Sequence, residues 1–193
     1  MKNLFPLVLL SVVLAVSACD ETTSTKEDVL KDAANFEEGV STAFDYNNGL
    51  VAQVSLLQAE YTKFDRITGA DDFDMSNDDF SKRYTDAYNA FMKECDRVRG
   101  VVSSVKPVGK SAGAFRDAAL KCINAYGELG ALLAPEIVSV AVSENDEVFF
   151  NDLDVAYNKV TQTEDGYIAM NKTFCNNNDI TLGETVDIEE LAK

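Results

Sequence analysis

Val29, Ala33, Phe36, Val40, Ala43, Asn47, Leu50, Val54, Leu57, Tyr61 and Phe64 follow one another at alternating steps of four and three. A strand repeats every second residue and cannot keep this spacing. An α-helix, at 3.6 residues per turn, brings all of these positions onto one stripe. A stripe of that length needs a partner surface, so the chain must be a helical bundle or a coiled coil. Asn47 is its one polar member. Asn47-Asn48-Gly49 could be a turn between two helices. The register runs straight through it, however, which favours one long helix from Ser24 to Ile67, with Asn47 fixing alignment. Ser24 and Glu27 have the spacing of a capping box at its start.

The same logic places three more helices. Ile67-Thr68-Gly69 stops the first. Ser76 with Asp79 reads as the capping box of a second, whose face is Phe80, Tyr84, Ala87, Phe91, Cys95, Val98 and Val102. Lys106-Pro107-Val108-Gly109 ends it. A third begins near Ser111 with Phe115, Ala119, Cys122, Tyr126, Leu129 and Leu133 inward, and Pro135 should kink or break it. Glu136 to Val142 is expected as a short separate piece. A fourth is expected from Ser143, with Asp146 as box partner, to Asn176-Asn177-Asn178. Phe149, Leu153, Ala156, Val160, Thr163, Tyr167, Met170 and Phe174 form its face. The fold class read from this is all-α: an up-down antiparallel four-helix bundle over residues 27–178, followed by an acidic tail, 179–193.

The start of the chain has another character. Lys2 precedes an apolar run from Leu4 to Val16, too short to span a membrane as a mature helix but of signal-peptide length. It ends in Val16-Ser17-Ala18-Cys19. Small residues followed by a cysteine make a lipobox, so residues 1–18 read as a lipoprotein signal peptide and Cys19 as the lipid attachment site. Several acyl chains on one residue anchor stably where one is marginal, since each buried methylene contributes roughly 0.8 kcal/mol. Residues 19–26, polar and threonine-rich, read as a tether.

Composition then excludes more than it selects. The chain has 17 basic and 33 acidic residues, and loss of the leader with Lys2 takes the formal charge from −16 to −17. Nucleic-acid binding rests on neutralising phosphates and is disfavoured. An anionic lipid surface is disfavoured for the same reason, whereas a basic protein partner is compatible. There is no histidine, which removes Ser-His-Asp triads, His-ligated zinc and the Glu-x-x-His di-iron site together. Asp71, Asp72, Asp74, Asp78 and Asp79 crowd the 70–79 loop. An EF-hand frame there would need Gly at 77 and Glu at 83, and the chain has Asn77 and Arg83. No metal, cofactor or catalytic residue is expected.

Three cysteines remain after Cys19. Cys95 lies 13 residues before the turn near residue 108 and Cys122 lies 14 after it, so antiparallel helices bring them to one height. A Cys95–Cys122 disulfide would close a 28-residue span and stabilise by roughly 3 kcal/mol. Two small buried hydrophobes are the plain alternative. Cys175 falls about 20 Å away along the axis.

The lipobox, the acidic tether, Asp45-Tyr46-Asn47, Phe115-Arg116-Asp117-Ala118-Ala119-Leu120 and Tyr157-Asn158 together resemble a family of four-helix bacterial surface lipoproteins. That family was first named in Leptospira and is common in Bacteroidota. The YiiG-like lipoproteins are a second resemblance. The resemblance covers most of the mature chain, departs at Pro135, and implies an envelope protein with no catalytic residue to carry over. Asp20 and Glu21 resemble an inner-membrane retention signal in one bacterial setting and a surface-export signal in another, so the leaflet stays open, with the outer membrane favoured. The expected function is a lipid-anchored, non-catalytic interaction or structural module. The alternative is an envelope protein binding a cation or small ligand through the 70–79 loop or a polar pocket around Asn47.

Overall fold

The computed structural model describes residues 14–15, 24–182 and 185–193. Among the described residues the fold is all-helical apart from one short pairing. The helices are α1 (Lys26–Glu38), α2 (Ala43–Thr68), α3 (Asp78–Ser104), α4 (Ala112–Leu132), α5 (Pro135–Glu144), α6 (Glu147–Asn177) and α7 (Ile188–Leu191). Two-residue strands, β1 (Leu14–Ala15) and β2 (Thr185–Val186), pair antiparallel with Leu14 opposite Val186. Among the described residues no single helix is long and apolar enough to cross a membrane.

Each long helix runs antiparallel to the next. Phe36 of α1 meets Tyr46 of α2. Phe64 of α2 meets Tyr84 and Phe91 of α3. Tyr84 of α3 donates from its hydroxyl to the Leu133 carbonyl beyond α4, at 2.8 Å. Phe115 of α4 stacks on Tyr167 and Phe174 of α6. These rings form the core together with Leu50, Val54, Leu57, Val98, Ala119, Ile123, Leu129 and Val160, all buried.

The first rod differs from the single long helix expected. The chain breaks at Gly39–Thr42 and doubles back, so α1 lies along α2. Gly39 ends α1 at φ +106°, a conformation that favours glycine, with its N–H bonded to Phe36 O. Thr42 starts α2 by accepting the Asp45 N–H at 3.0 Å. The apolar spacing survives because a tight reversal consumes about as many residues as one helical turn, so periodicity alone does not register it. Asn47-Asn48-Gly49 is not a turn. It lies inside α2, and Gly49 is there because Phe36 packs flat against it: a Cβ at Gly49 would stand 2.4 Å from Phe36 Cβ. Gly49→Ala should therefore destabilise. The gain in helix propensity, about 1 kcal/mol, is outweighed by overpacking of about 1–3 kcal/mol or more. Thermal unfolding followed by circular dichroism checks this; an unchanged or raised Tm would refute the close-packing account.

The starts of other helices shift by a residue or more. Thr25 and Asp28, not Ser24 and Glu27, form the capping box of α1. Asn77 rather than Ser76 caps α3, accepting the Phe80 N–H at 3.0 Å, because the Ser76 hydroxyl is spent on Asp74. Ser143 does not open α6; it lies inside α5. Pro135, at the first turn where its missing N–H is harmless, opens α5, and Asp146 caps α6 by accepting from Val148 and Phe149. The acidic tail packs: Val186, Leu191 and Ala192 are buried, and Arg66 of α2 holds the Ala192 carbonyl and Glu189.

Candidate functional site

α2 is covered by α1 on one side and by the bundle on the other, so every residue from Tyr46 to Ser55 is buried. That helix therefore has to bury polar side chains, and two of them, Asn47 and Gln58, reach α6. α2 and α6 approach through long polar side chains rather than through close backbones. This seam is the candidate site.

Three levels can be described. At the first, Asn171 Nδ2 donates to Asn47 Oδ1 at 3.1 Å, and the Cys175 thiol donates to the same oxygen at 3.3 Å. Asn47 Nδ2 reaches Asn48 Oδ1 at 3.4 Å. Asn47 and Cys175 are fully buried and Asn171 nearly so. At the second, Glu164 of α6, 1% exposed, accepts on Oε1 from Gln58 Nε2 at 2.6 Å and from the Tyr126 hydroxyl at 2.5 Å. Glu164 Oε2 and Gln58 Oε1 are buried acceptors without a donor. At the third, Tyr61 donates to Asp65 Oδ1 at 3.3 Å and lies against Tyr157 of α6. Thr68 donates to the Asp65 carbonyl at 2.8 Å.

Burial sets the protonation states. It pushes the Glu164 carboxyl up, against the lowering effect of its bonds from Tyr126 and Gln58. It pushes Asp65 up as well. Tyr157 and Tyr46 are raised to about 12, and Tyr126 and Tyr167 well above the ordinary phenol value. The interior thus holds neutral phenols and a carboxyl biased toward its acid form. None of these phenols is an activated nucleophile, and the most deeply buried acid of the seam, Glu164, is 1% exposed.

The residues singled out from sequence are distributed as follows. Cys19 lies outside the described residues. Cys95 and Cys122 are buried thiols on facing helices, level as the spacing requires. Their polar neighbours differ, although the two thiols are close enough to influence one another. Cys95 Sγ donates to Ile123 O at 3.5 Å and receives Arg99 Nη2 at 3.4 Å, while Cys122 faces Thr163 and Glu164 of α6. No bridge joins them here. Burial raises Cys95 to about 11 and lifts Cys122 well above the ordinary thiol value, so neither is a thiolate at neutral pH. In the 70–79 loop Asp72 is paired with Arg83 at 2.6 Å, and Asp74 accepts from the Ser76 hydroxyl and N–H. Among the described residues no group of three or more acidic or cysteine side chains is placed to hold a metal ion.

Sequence reasoning found Asn47 but missed Glu164, Gln58 and Gln53. Gln53 is fully buried between α1 and α3. Its Nε2 donates to Ala33 O at 3.0 Å, and its Oε1 accepts from Arg97, which also holds Glu94 and Glu37. A surface groove of about 430 Å³ runs beside this cluster, lined by Leu30, Leu56, Ala59, Lys63 and Arg97. Comparison with protein-family models, with curated proteins and with solved structures finds no match.

Proposed function

We propose that the chain is a lipid-anchored module of the cell envelope that acts through contacts and not through catalysis. The observation that carries this reading is the run from Leu4 to Val16 followed by Ser17-Ala18-Cys19. Acyl chains on Cys19 hold the protein in the outer membrane, and a polar tether carries the body. The body is an up-down antiparallel four-helix bundle of α2, α3, α4 and α6, with α1 folded along α2. The antiparallel ring contacts α2–α3, α3–α4 and α4–α6 support that architecture, as do the Gln58–Glu164 and Asn47–Asn171 links that close the ring. Support for a non-catalytic role comes from the interior chemistry: protonated thiols and phenols, and a carboxyl that is 1% exposed. The net charge suits a basic protein partner and disfavours nucleic acid. The cation alternative loses its footing because Asp72 and Asp74 are already engaged by Arg83 and Ser76.

Growth with a labelled fatty acid tests the anchor. The label should enter the wild-type chain, which should partition with membranes. Cys19→Ala should lose both the label and the membrane association. A membrane-bound wild-type chain carrying no label would overturn the reading.

A further inference from the structure

The described residues leave six large apolar side chains exposed, and four of them, Ile137, Val140, Val148 and Val155, fall within one short stretch at the junction of α5 and α6. They are 41%, 55%, 68% and 67% exposed, against burial of their neighbours Val138, Ala141, Phe149 and Leu153. The pattern has a local cause. α5 turns Val138 and Ala141 inward, which sends Ile137 and Val140 out. α6 turns Phe149 and Leu153 inward, which sends Val148 and Val155, seven residues apart, out along one outer face. Asn145, at φ +51°, makes the tight joint between the two helices.

Along this stretch of chain the charge is of one sign. Between Lys121 and Lys159 the sequence contains no lysine or arginine. Glu136, Glu144, Glu147, Asp152 and Asp154 lie in the same stretch, and none of them is in an ion pair among the described residues. Elsewhere the acidic surface is interrupted by pairs such as Arg66–Glu189, Arg97–Glu37 and Lys82–Asp86. Exposed valines scattered singly mean little. Apolar side chains exposed on two joined helices, with unpaired carboxylates between them along the chain and Lys159 already held by Glu128, select a partner.

We propose that the α5–α6 corner is a docking surface for a cationic amphipathic helix of a partner protein. The charge chooses among the occupants. A second copy of this face would set unpaired carboxylate against unpaired carboxylate, and an anionic lipid or nucleic-acid surface would do the same. A helix with apolar residues at steps of three and four, flanked by lysine and arginine, matches both the Val148–Val155 stripe and the carboxylates around it. The site also has room in the anchored protein. The corner lies at the end of the bundle from which α1 starts, since α4 ends beside the start of α3 and α3 starts beside the end of α2. A tether of about seven residues reaches up to ~25 Å, more than the ~10–12 Å diameter of a helix. The proposal rests on the envelope-module reading and names the partner chemistry for it.

The test uses the full chain in non-ionic micelles and a synthetic leucine–lysine amphipathic helix of about five turns, with a leucine–glutamate counterpart as charge control. Calorimetry should show saturable one-to-one binding of the cationic peptide and none of the anionic one. Ile137→Ser with Val140→Ser should weaken binding about tenfold with an unchanged circular dichroism spectrum. Glu147→Lys with Asp152→Lys should do the same, while Glu38→Lys on α1 should leave affinity within about twofold. Binding untouched by the corner substitutions, or weakened as much by Glu38→Lys, would assign it to diffuse charge and overturn the proposal. Self-association, or binding to zwitterionic vesicles, that the corner substitutions abolish would overturn it in favour of a second copy or the bilayer. None of these results bears on fatty-acid labelling at Cys19, so the two readings can fail separately.

Discussion

Glu164→Gln should raise the Tm at neutral pH and flatten its decline as pH rises. The carboxyl is 1% exposed, and burial lifts its folded-state pKa above the ordinary 4.5. A group raised in this way binds its proton more tightly folded than unfolded. Its contribution is fully present below about 4.5 and is lost as pH climbs through the folded value. Above that value the fold carries a buried charge balanced only by Tyr126 and Gln58. Glutamine keeps the Oε1 acceptor for both donors and carries no charge. Its amide also replaces Glu164 Oε2, a buried acceptor that has no donor.

The expected gain at pH 7 is the cost of holding that buried carboxylate charged, a cost the neutral amide does not carry. Asp65 and Asp32, also raised by burial, keep their own slopes, so the comparison is the difference between variant and wild type at each pH. Glu164→Ala should go the other way. It strands the Tyr126 hydroxyl and Gln58 amide without acceptors and leaves a cavity, a loss of about 2–4 kcal/mol. Denaturant melts from pH 4 to 9 separate the two. A glutamine variant less stable than wild type at pH 7 would mean that the carboxylate, and not the acid, is the form the seam was built around.

Why the seam escaped the sequence is a matter of how many neighbours each helix has. The four-three spacing marks a stripe two positions wide, and along α6 it selects Val160, Thr163 and Tyr167. α6 packs on α4 and also faces α2, so its buried face is wider than that stripe, and Glu164 falls in the added width. α2 is the extreme case. With α1 on its outer side it is buried all round from Tyr46 to Ser55, yet it carries Asn47, Asn48, Gln53 and Ser55 there, which hydropathy assigns to solvent. The core positions Val29, Phe36, Leu50, Leu57, Phe64, Phe91, Phe115 and Phe174 were legible because each obeys the period and is apolar. The reversal at Gly39–Thr42 was legible in principle: a glycine three residues before a threonine with Asp three further on is a stop followed by a start. An unbroken count of apolar spacings concealed it. The cysteines divide similarly. Their height follows from counting residues out from a turn, but the hydrogen-bond partner of each thiol depends on which neighbour its helix face meets.

The second large effect is expected at Asn47. Asn47→Ala should cost about 2–4 kcal/mol, because it removes the acceptor of both Asn171 and Cys175 inside a fully buried level and leaves a void. Asn171→Ala removes the same contact from the other side, so the double variant should lose less than the sum, with a coupling on the order of 0.5–3 kcal/mol. Replacing the pair with leucines separates energy from alignment. An apolar pair of similar volume can match a buried polar one in stability, so Asn47→Leu with Asn171→Leu should keep most of the Tm. It should not keep the alignment. The asparagines bond at one height only, whereas leucines pack nearly as well after a slide of one turn, as in helical bundles where a single buried asparagine fixes register. Amide exchange and the dispersion of side-chain methyl resonances would report that loss as broadened, multiple environments at the α2–α6 seam. A double-leucine variant with the sharp, single spectrum of wild type would place the register elsewhere. The Gln58–Glu164 link, two to three turns further along the same two helices, would then be the element that sets it.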